Sequence, residues 1–314
     1  MSKKSDAQVV ARKDITKAQW TWMQMKRYKV AYLMIAPFML IFFIFTVIPV
    51  IASLALSFTS FNMLQMPKFL FLDNYITLFL DDDLWVTALK NTLIFAAVVG
   101  PVSYILSFLV AWFINELSPR IRAVVTLIFY APSISGNAYL IWQTLFSSDA
   151  QGWINGKLLD WGFIDTPVLW FQDERYVMAL CIIVALWMSL GTSFLSFIAG
   201  LQGINVSLFE AAAVDGLKNR WQELWYVTLP SMKPQLMFGA IMAITGAFSF
   251  GAVVTALAGN PSVNYAAYTI QHHLDEYQGV RWEVGYSSAI SFVMFLMMVG
   301  SNMAVTKLLA KVGQ

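Results

Sequence analysis

Long apolar stretches alternate with short polar ones along this chain, and six of the apolar stretches contain no Asp, Glu, Lys or Arg. Each is longer than the roughly 20 residues that a helix needs to cross a bilayer. Their apolar residues are continuous instead of alternating, which is typical of helices and not of the strands of a membrane barrel. The predicted spans are residues 31–58, 92–115, 123–146, 177–201, 235–258 and 285–306.

Composition indicates an integral membrane protein. Hydrophobic residues make up 59% of the 314 residues and charged residues only 12%, whereas a typical soluble domain has about 25% charged residues. The 12 tryptophans and 24 phenylalanines suit membrane interfaces. The single cysteine, Cys181, can form no intrachain disulfide. We therefore expect an all-α polytopic membrane protein with six transmembrane helices.

The distribution of Lys and Arg predicts the orientation, because cytoplasmic loops carry an excess of these residues. With the N-terminus inside, 15 of the 20 Lys and Arg residues fall on the cytoplasmic side. Acidic clusters at 81–83 and 173–174 fall outside. Both termini are therefore expected to be cytoplasmic, with a cytoplasmic N-terminal segment at 1–29, a six-helix domain at 30–314 and a cytoplasmic inner loop at 202–233.

Three predicted outer segments are longer than a tight turn: residues 62–90, 147–176 and 259–284. They combine turn residues with aromatic residues such as Trp153 and Trp282, a composition typical of short amphipathic helices that lie along a membrane surface. Such helices would anchor the protein at the interface or form a docking surface for an extracytoplasmic partner. Both interpretations fit the pattern.

The predicted spans contain no Asp, Glu, Lys, Arg or His that would indicate a proton relay or an ion pathway. The two histidines, His272 and His273, fall in an outer segment. No phosphate-binding glycine loop, metal-ligand cluster or nucleophile–base pair is present, so no catalytic, cofactor or metal site and no nucleic-acid partner is predicted. The pattern argues against a proton-driven transporter. It indicates a cargo held by neutral hydrogen bonds, with the energy supplied by another protein.

The inner loop between the fourth and fifth predicted spans has the pattern of two short helices. Ser207 is a candidate N-cap for a helix that begins at the next residue, with Glu210 in its first turn, where the helix dipole favours an anion. Gly216 is placed to end this helix and turn the chain. A second helix is predicted at 220–227, and Pro230 breaks it. The loop is then a rigid knob suited to a socket in a cytosolic protein, or an ordinary amphipathic loop.

The inner loop also carries a family motif. Its residues include Glu210-Ala211-Ala212, Asp215-Gly216, Thr228-Leu229-Pro230 and Pro234. The segment closely resembles the EAA loop of the permeases of ATP-binding-cassette (ABC) importers, and we call residues 202–233 the EAA loop. Likeness to the sugar-importer branch extends from about residue 30 to the C-terminus and is carried by Pro49, Ser57-Phe58-Thr59, Asn74-Tyr75, residues 88–92, Gly152, Asn155, Leu158 and Leu201-Gln202. Leu217 departs from the family, which often has alanine there, and this bears on the packing of the turn.

The resemblance implies the type I ABC-importer permease fold and a set of partners. Two permease subunits, expected here as a heterodimer, form one pathway, and two cytosolic ATPase subunits bind beneath them and hold the ATP and Mg²⁺. An extracytoplasmic solute-binding protein delivers sugar. The chain would be a transport subunit without enzymatic activity or cofactor, in the bacterial cytoplasmic membrane. The resemblance assigns coupling to the ATPase to Glu210, Ala211, Ala212, Asp215, Gly216, Leu229 and Pro230.

Alignment with maltose-type permeases implies a substrate pathway in the fourth and fifth spans, formed by Ser189, Thr192, Met242, Thr245, Gly246 and Ser249. Thr245 and Ser249 are one helical turn apart and so share a face of the helix. Leucine at both positions is expected to block uptake. Small polar residues also bond membrane helices to one another, and that interpretation stays open for this set. Because the implied residues are mostly small, an oligosaccharide is the expected cargo.

The third predicted span contains Pro132 and Gly136, which should loosen the helix around residues 130–137. Asn137 lies at the end of this stretch. Its side chain would line the pathway or bond a neighbouring helix.

Four interpretations are open at this point. The first is a sugar-importer permease, and the second is the same architecture with another solute, such as a glycerol phosphate or an amino acid. A phosphate cargo would favour basic residues near the pathway, and the predicted spans have none. The third, a secondary transporter, is opposed by the uncharged spans and the EAA loop. The fourth is a membrane scaffold or enzyme, and co-purification with an ATPase would argue against it and against the third.

Overall fold

The computed structural model describes residues 16–311, and the regular structure in that range is helical, with an isolated bridge between Thr59 and Phe69. Four helices in this range are long and apolar enough to cross a membrane, and the number rises to six when each of two bent pairs is counted as one span. The first fifteen residues of the predicted segment 1–29 lie outside the described residues. The chain divides into two compact units, Met1–Ala55 and Leu56–Gln314.

The first unit holds a short polar helix followed by an apolar one. The short helix, Lys17–Arg27, begins with a capping box, in which Thr16 Oγ1 accepts a hydrogen bond from the Gln19 backbone and the Thr16 backbone donates to Gln19 Oε1. The apolar helix continues through Lys29–Phe42, a π-helical turn at Phe43–Val47, and Ile48–Leu56. Its 28 residues confirm the first predicted span to within two residues at each end.

The second unit is built from the helices that follow. Its membrane-length helices and bent pairs are Asp83–Asn115, Pro119–Ile134 with Tyr139–Leu145, Glu174–Met188 with Thr192–Gln202, Lys233–Phe248 with Gly251–Ala258, and Val284–Lys311. Shorter helices connect them at Asp73–Ile76, Thr77–Asp81, Trp153–Asp160, Val206–Val214, Arg220–Glu223, Leu224–Thr228, Leu229–Ser231, Val263–Tyr265, Ile270–Asp275 and Glu276–Val280. Short helices do occur in each of the three predicted outer segments, and their position along a membrane surface stays a prediction.

The second predicted span, 92–115, begins nine residues too late. In the structure this helix is Asp83–Asn115, 33 residues or about 50 Å in length. It begins at Asp83 because the side chain of Asp82 caps it, with Oδ1 accepting a hydrogen bond from the Trp85 backbone at 3.1 Å. The apolar run that set the predicted start is bounded by the nearest charged residue, Lys90. The backbone is helical on the N-terminal side of Lys90 as well, as far as the cap at Asp82. We call Asp83–Asn115 the long helix.

The third and fifth predicted spans are bent pairs and not continuous helices. The expected loosening of the third is confirmed, since Pro119–Ile134 and Tyr139–Leu145 meet at 85°. Asn137 lies in this break, and its Oδ1 accepts a hydrogen bond from the Tyr139 hydroxyl at 3.2 Å. The two halves of the fifth span differ in direction by 40°, with the bend at residues 249–250.

The long helix is the shared wall of the second unit, because it contributes to all three clusters of buried apolar side chains among the described residues. Trp85 belongs to one cluster, Phe95 to a second and Phe108 to a third, in that order along the helix. The cluster of Phe108 also contains Phe197, against which Gly239 packs so closely that a Cβ would lie 2.2 Å from the phenyl ring. A glycine is therefore required where these two helices meet.

Candidate functional site

The first helix of the EAA loop is Val206–Val214, and the sequence-based prediction of its start was wrong by two residues. Asn205, not Ser207, is the N-cap, and its Oδ1 accepts a hydrogen bond from the Ser207 backbone at 3.0 Å. Asparagine is as good a cap as serine, so composition alone does not separate the two positions. Glu210 consequently lies in the second turn and is exposed, and the predicted contribution of the helix dipole at this residue no longer applies.

Gly216 ends the first helix, as predicted. Its φ is +94°, in the region that favours glycine. The Gly216 N–H donates to the Ala213 carbonyl at 3.2 Å and the Leu217 N–H donates to the Ala212 carbonyl at 3.0 Å, the hydrogen-bond pair of a Schellman motif. Leu217 occupies the position where this motif commonly takes an apolar residue, and its side chain is half-buried. The departure from alanine therefore fits the turn.

The second helical stretch of the EAA loop is longer than predicted. Asn219 caps it, with Oδ1 accepting from the Gln222 backbone at 2.9 Å. The chain is then helical through Arg220–Glu223, a π-helical turn at Leu224–Thr228, and Leu229–Ser231. Pro230 does not break this path, which corrects the prediction. It is the second residue of the helix Leu229–Ser231, and the helical path ends one residue after it.

The residues implied in coupling to an ATPase are mostly on the surface of the second unit. Five of the seven are exposed: Glu210, Ala211, Asp215, Gly216 and Pro230. Ala212 is buried, and Leu229 packs against the cluster that contains Phe108 and Phe197. The two inward-facing residues fix the loop to the helices, and the exposed ones leave a surface open to another protein.

The EAA loop is also tied to the C-terminal end of the long helix. Arg220 contacts Glu116 at 2.7 Å and Glu223 at 2.8 Å, and the rings of Trp112 and Trp221 lie 5.3 Å apart. Trp112, Glu116, Arg220 and Glu223 border a polar cavity of about 260 Å³. The two contacts hold the second helix of the loop against the long helix.

A second cavity, of about 210 Å³, collects most of the implied pathway residues. Two lining residues come from the long helix. Four come from the fourth span, on either side of a break in that helix, and five come from one face of the fifth span. The lining residues are Val99, Ser103, Met188, Ser189, Thr192, Ser193, Met242, Ala243, Gly246, Ala247 and Phe250. Four of the six implied pathway residues are in this set: Ser189, Thr192, Met242 and Gly246.

A break in the fourth span places Ser189 and Thr192 at this cavity. The helix Glu174–Met188 ends where the Ser189 hydroxyl donates to the Leu186 carbonyl at 2.7 Å, and a new helix begins at Thr192. Between them, the Gly191 N–H donates to the Ser189 carbonyl at 2.8 Å. The predicted span 177–201 is thus interrupted by three non-helical residues beside the cavity. At this break Ser189, Thr192 and Ser193 line the cavity.

Thr245 and Ser249 lie outside this cavity, so their place on the pathway stays a prediction. Each hydroxyl donates to its own helix, Thr245 to the Ile241 carbonyl at 2.9 Å and Ser249 to the Thr245 carbonyl at 3.0 Å. The cavity takes the stripe of Met242 and Gly246, which are one turn apart. Thr245 immediately precedes Gly246, so the two residues are about 100° apart around the helix axis.

Sequence reasoning missed a buried polar cluster at the other end of the long helix. Asp82 Oδ2 accepts from the Tyr286 hydroxyl at 2.8 Å and lies 2.9 Å from His273 Nε2. Both histidines are fully buried. Burial lowers the pKa of His272 to about 4, and burial lowers the pKa of His273 against the opposing effect of Asp82. The sequence showed Asp82 only within a run of three aspartates, and nothing local distinguishes the buried one.

Two residues of the long helix hold the neighbouring segment in place by hydrogen bonds. The Asn91 side chain donates to the carbonyls of Tyr265 and Tyr268 at 3.0 and 2.9 Å. The Thr92 hydroxyl accepts from the Ile270 backbone at 2.9 Å. Buried polar side chains of this kind satisfy backbone groups that have no helix partner. The long helix therefore contacts the polar cluster at one end, the cavity in its middle and the EAA loop at its other end.

Solved structures share this architecture. A bacterial ABC transporter involved in the import of the acidic polysaccharide alginate matches with a TM-score of 0.72 at 22% identity, covering 94% of this chain and 99% of that one. The alginate ABC transporter in complex with an alginate pentasaccharide-bound periplasmic protein matches with a TM-score of 0.73 at 24% identity, covering 93% and 99%. At these identities the likeness establishes the fold, an all-helical ABC-importer permease fold.

Curated relatives extend the comparison to sequence, although no protein-family model matches the chain. The arabinooligosaccharides transport system permease AraP of Bacillus subtilis is 29% identical and covers 88% of this chain and 87% of its own length. The lactose transport system permease LacF of Rhizobium radiobacter is 31% identical, covering 68% and 71%. The probable ABC transporter permease YesP of Bacillus subtilis is 34% identical over 278 residues, covering 86% of each chain. The chain therefore belongs to the family of ABC transporter permeases and is an integral membrane protein.

Proposed function

We propose that this chain is the permease subunit of an ATP-driven, binding-protein-dependent sugar importer, and that its cargo is an oligosaccharide. The observation that carries the proposal is the presence of four implied pathway residues in one cavity, in a chain related to permeases named for the transport of arabinooligosaccharides and lactose. The cavity lining offers the hydroxyls of Ser103, Ser189, Thr192 and Ser193. Among its described residues none is charged, which suits a neutral sugar better than a phosphorylated solute.

The proposal includes the partners that an importer of this class needs. A second permease subunit, different from this chain, forms the other half of the pathway. Two cytosolic ATPase subunits bind the exposed face of the EAA loop and hold ATP and Mg²⁺, so hydrolysis is theirs. A solute-binding protein presents the sugar at the opposite side. The alginate transporter that shares this fold was solved with a periplasmic protein carrying a pentasaccharide, which supports this arrangement.

Reconstitution tests the function. We expect the chain, co-expressed with its second permease and ATPase, to co-purify with the ATPase and to take up arabinooligosaccharides or lactose into proteoliposomes only with ATP and the binding protein. Loaded binding protein should stimulate ATP hydrolysis, because the loop transmits binding on one side to the ATPase on the other. A complex without the ATPase, or uptake driven by a proton gradient without ATP, would contradict the proposal.

The orientation follows from the same proposal. Both termini and the EAA loop lie in the cytoplasm, and the segment around residue 151 lies outside, in a bacterial cytoplasmic membrane. Single cysteines at exposed positions test this in intact cells, after Cys181 is replaced with serine. We expect Gln151→Cys to react with a membrane-impermeant maleimide and Lys218→Cys to react only after lysis, because both side chains are exposed on the protein. Labelling of the residue 218 cysteine in intact cells would reverse the orientation.

A further inference from the structure

One ion pair joins two elements that are 104 residues apart in the chain. Arg220 is the first residue of the second EAA helix, and Glu116 is the C-cap of the long helix. The guanidinium uses Nη2 for Glu116 and Nη1 for Glu223, at 2.7 and 2.8 Å. The ring contact between Trp112 and Trp221 joins the same two elements with different chemistry. A displacement of the second EAA helix must therefore act on the end of the long helix.

The end of the long helix is itself held firmly. Arg122, on the following helix, donates from Nη2 to the carbonyls of Asn115 and Leu117 at 2.9 and 3.1 Å. Asn115 is the last residue of the long helix, so its carbonyl has no partner within the helix, and Leu117 lies just beyond the C-cap. Because Arg122 bonds the carbonyls at this end of the helix, we expect a force applied at Glu116 to move the helix instead of unwinding its last turn.

The exposure of the pair argues against a role in stability. The side chains of Arg220 and Glu116 are 62% and 42% exposed, and exposed ion pairs contribute little to folding. One planar guanidinium that contacts two carboxylates does, however, fix the orientation of the groups that it joins. The geometry of Arg220 between Glu116 and Glu223 therefore suits a residue that positions the EAA loop against the long helix.

We propose that Arg220 is a positioning residue, which through Glu116 and Glu223 ties the EAA loop to the long helix. Movement of the loop by the ATPase then moves the helix whose residues Val99 and Ser103 form one wall of the cavity. This inference rests on the proposed function, since it presumes that an ATPase acts on the EAA loop. It goes further by naming the side chain through which the motion reaches the cavity.

Charge exchange tests the proposal in the reconstituted complex. Arg220→Glu puts a third carboxylate beside Glu116 and Glu223, so we expect the sugar taken up per ATP hydrolysed to fall about fivefold, the effect of one exposed ion pair. The ATPase should remain bound, because the exposed coupling residues are unchanged. The combined variant Arg220→Glu/Glu116→Arg restores opposite charges across the contact and should recover most of the lost ratio.

Arg120→Glu is the matched control. Arg120 lies four residues from Glu116, and among the described residues it forms no ion pair, so the same change of charge there should leave the ratio within about twofold of the wild type. A wild-type ratio in Arg220→Glu, or no recovery in the exchanged pair, would overturn the proposal. Loss of the ATPase from the Arg220→Glu complex would also overturn it, by making Arg220 a docking residue. Failure of the wild-type complex to couple concerns the proposed function instead.

Discussion

Gly216→Pro is expected to impair coupled sugar uptake severely while leaving the protein inserted in the membrane. Gly216 has φ +94° and proline is held near −65°, so the turn of the EAA loop cannot form. Proline also removes the N–H that donates to the Ala213 carbonyl. A Cβ at this position would meet no atom within 4 Å, so the effect is on backbone conformation and not on packing. We expect a loss of about tenfold or more, since an ordinary L-residue in this conformation already costs roughly 1–2 kcal/mol.

The chain contains a matched control for this variant in another loop. Gly162 ends the helix Trp153–Asp160 with φ +70°, and a Cβ there would also meet no atom within 4 Å. It belongs to the same pair of hydrogen bonds: the Gly162 N–H donates to the Leu159 carbonyl, and the Phe163 N–H donates to the Leu158 carbonyl. Gly162→Pro should therefore disturb its own loop to a similar degree and leave the ATPase bound with its basal rate of hydrolysis intact. The measurement is uptake and ATP hydrolysis with and without loaded binding protein. Normal stimulation and uptake in Gly216→Pro would show that the EAA loop is not the coupling element.

Gly246→Trp is expected to block uptake by filling the cavity. Gly246 lies in its wall between Met242 and Phe250, on the same stripe of the helix, and a Cβ built there would meet no atom within 4 Å. The helix can therefore accept the new side chain, and the indole would occupy much of a hollow of about 210 Å³. We expect uptake to fall to background while the ATPase remains bound. The double leucine variant at Thr245 and Ser249, two residues outside this cavity, is expected to be the less severe of the two.

Gly300→Trp controls for the cost of a large side chain in a membrane helix. Gly300 lies in the last helix, Val284–Lys311, is exposed, and has no atom within 4 Å of a Cβ position. It is outside the cavity, so its tryptophan variant should transport sugar at close to the wild-type rate. The assay is uptake of labelled oligosaccharide at matched protein levels. Full uptake by Gly246→Trp would remove the cavity from the pathway and leave its small polar residues as contacts between helices.

Several features followed from the sequence because their causes are local. A continuous apolar run predicts a membrane helix wherever it falls, and the first span was placed to within two residues. The turn at Gly216 was predicted because the backbone needs a glycine there. Local reasoning was wrong where two residues compete for one role, as Asn205 and Ser207 do for the cap. It also placed the start of the long helix too late, because the cap of that helix, Asp82, lies well before Lys90, the charged residue that bounds the apolar run.

The sequence by itself therefore determined the membrane class, the approximate positions of the apolar helices and the turn of the EAA loop, since each depends on residues close together in the chain. Only the tertiary structure decided which distant residues meet. Arg220 finds Glu116 across 104 residues, and Asp82 meets His273 in a buried cluster. It also separated Gly246, at the cavity, from Thr245, outside it. Helical periodicity relates the faces of one helix to each other, but which face looks into a cavity depends on how the neighbouring helices pack against it.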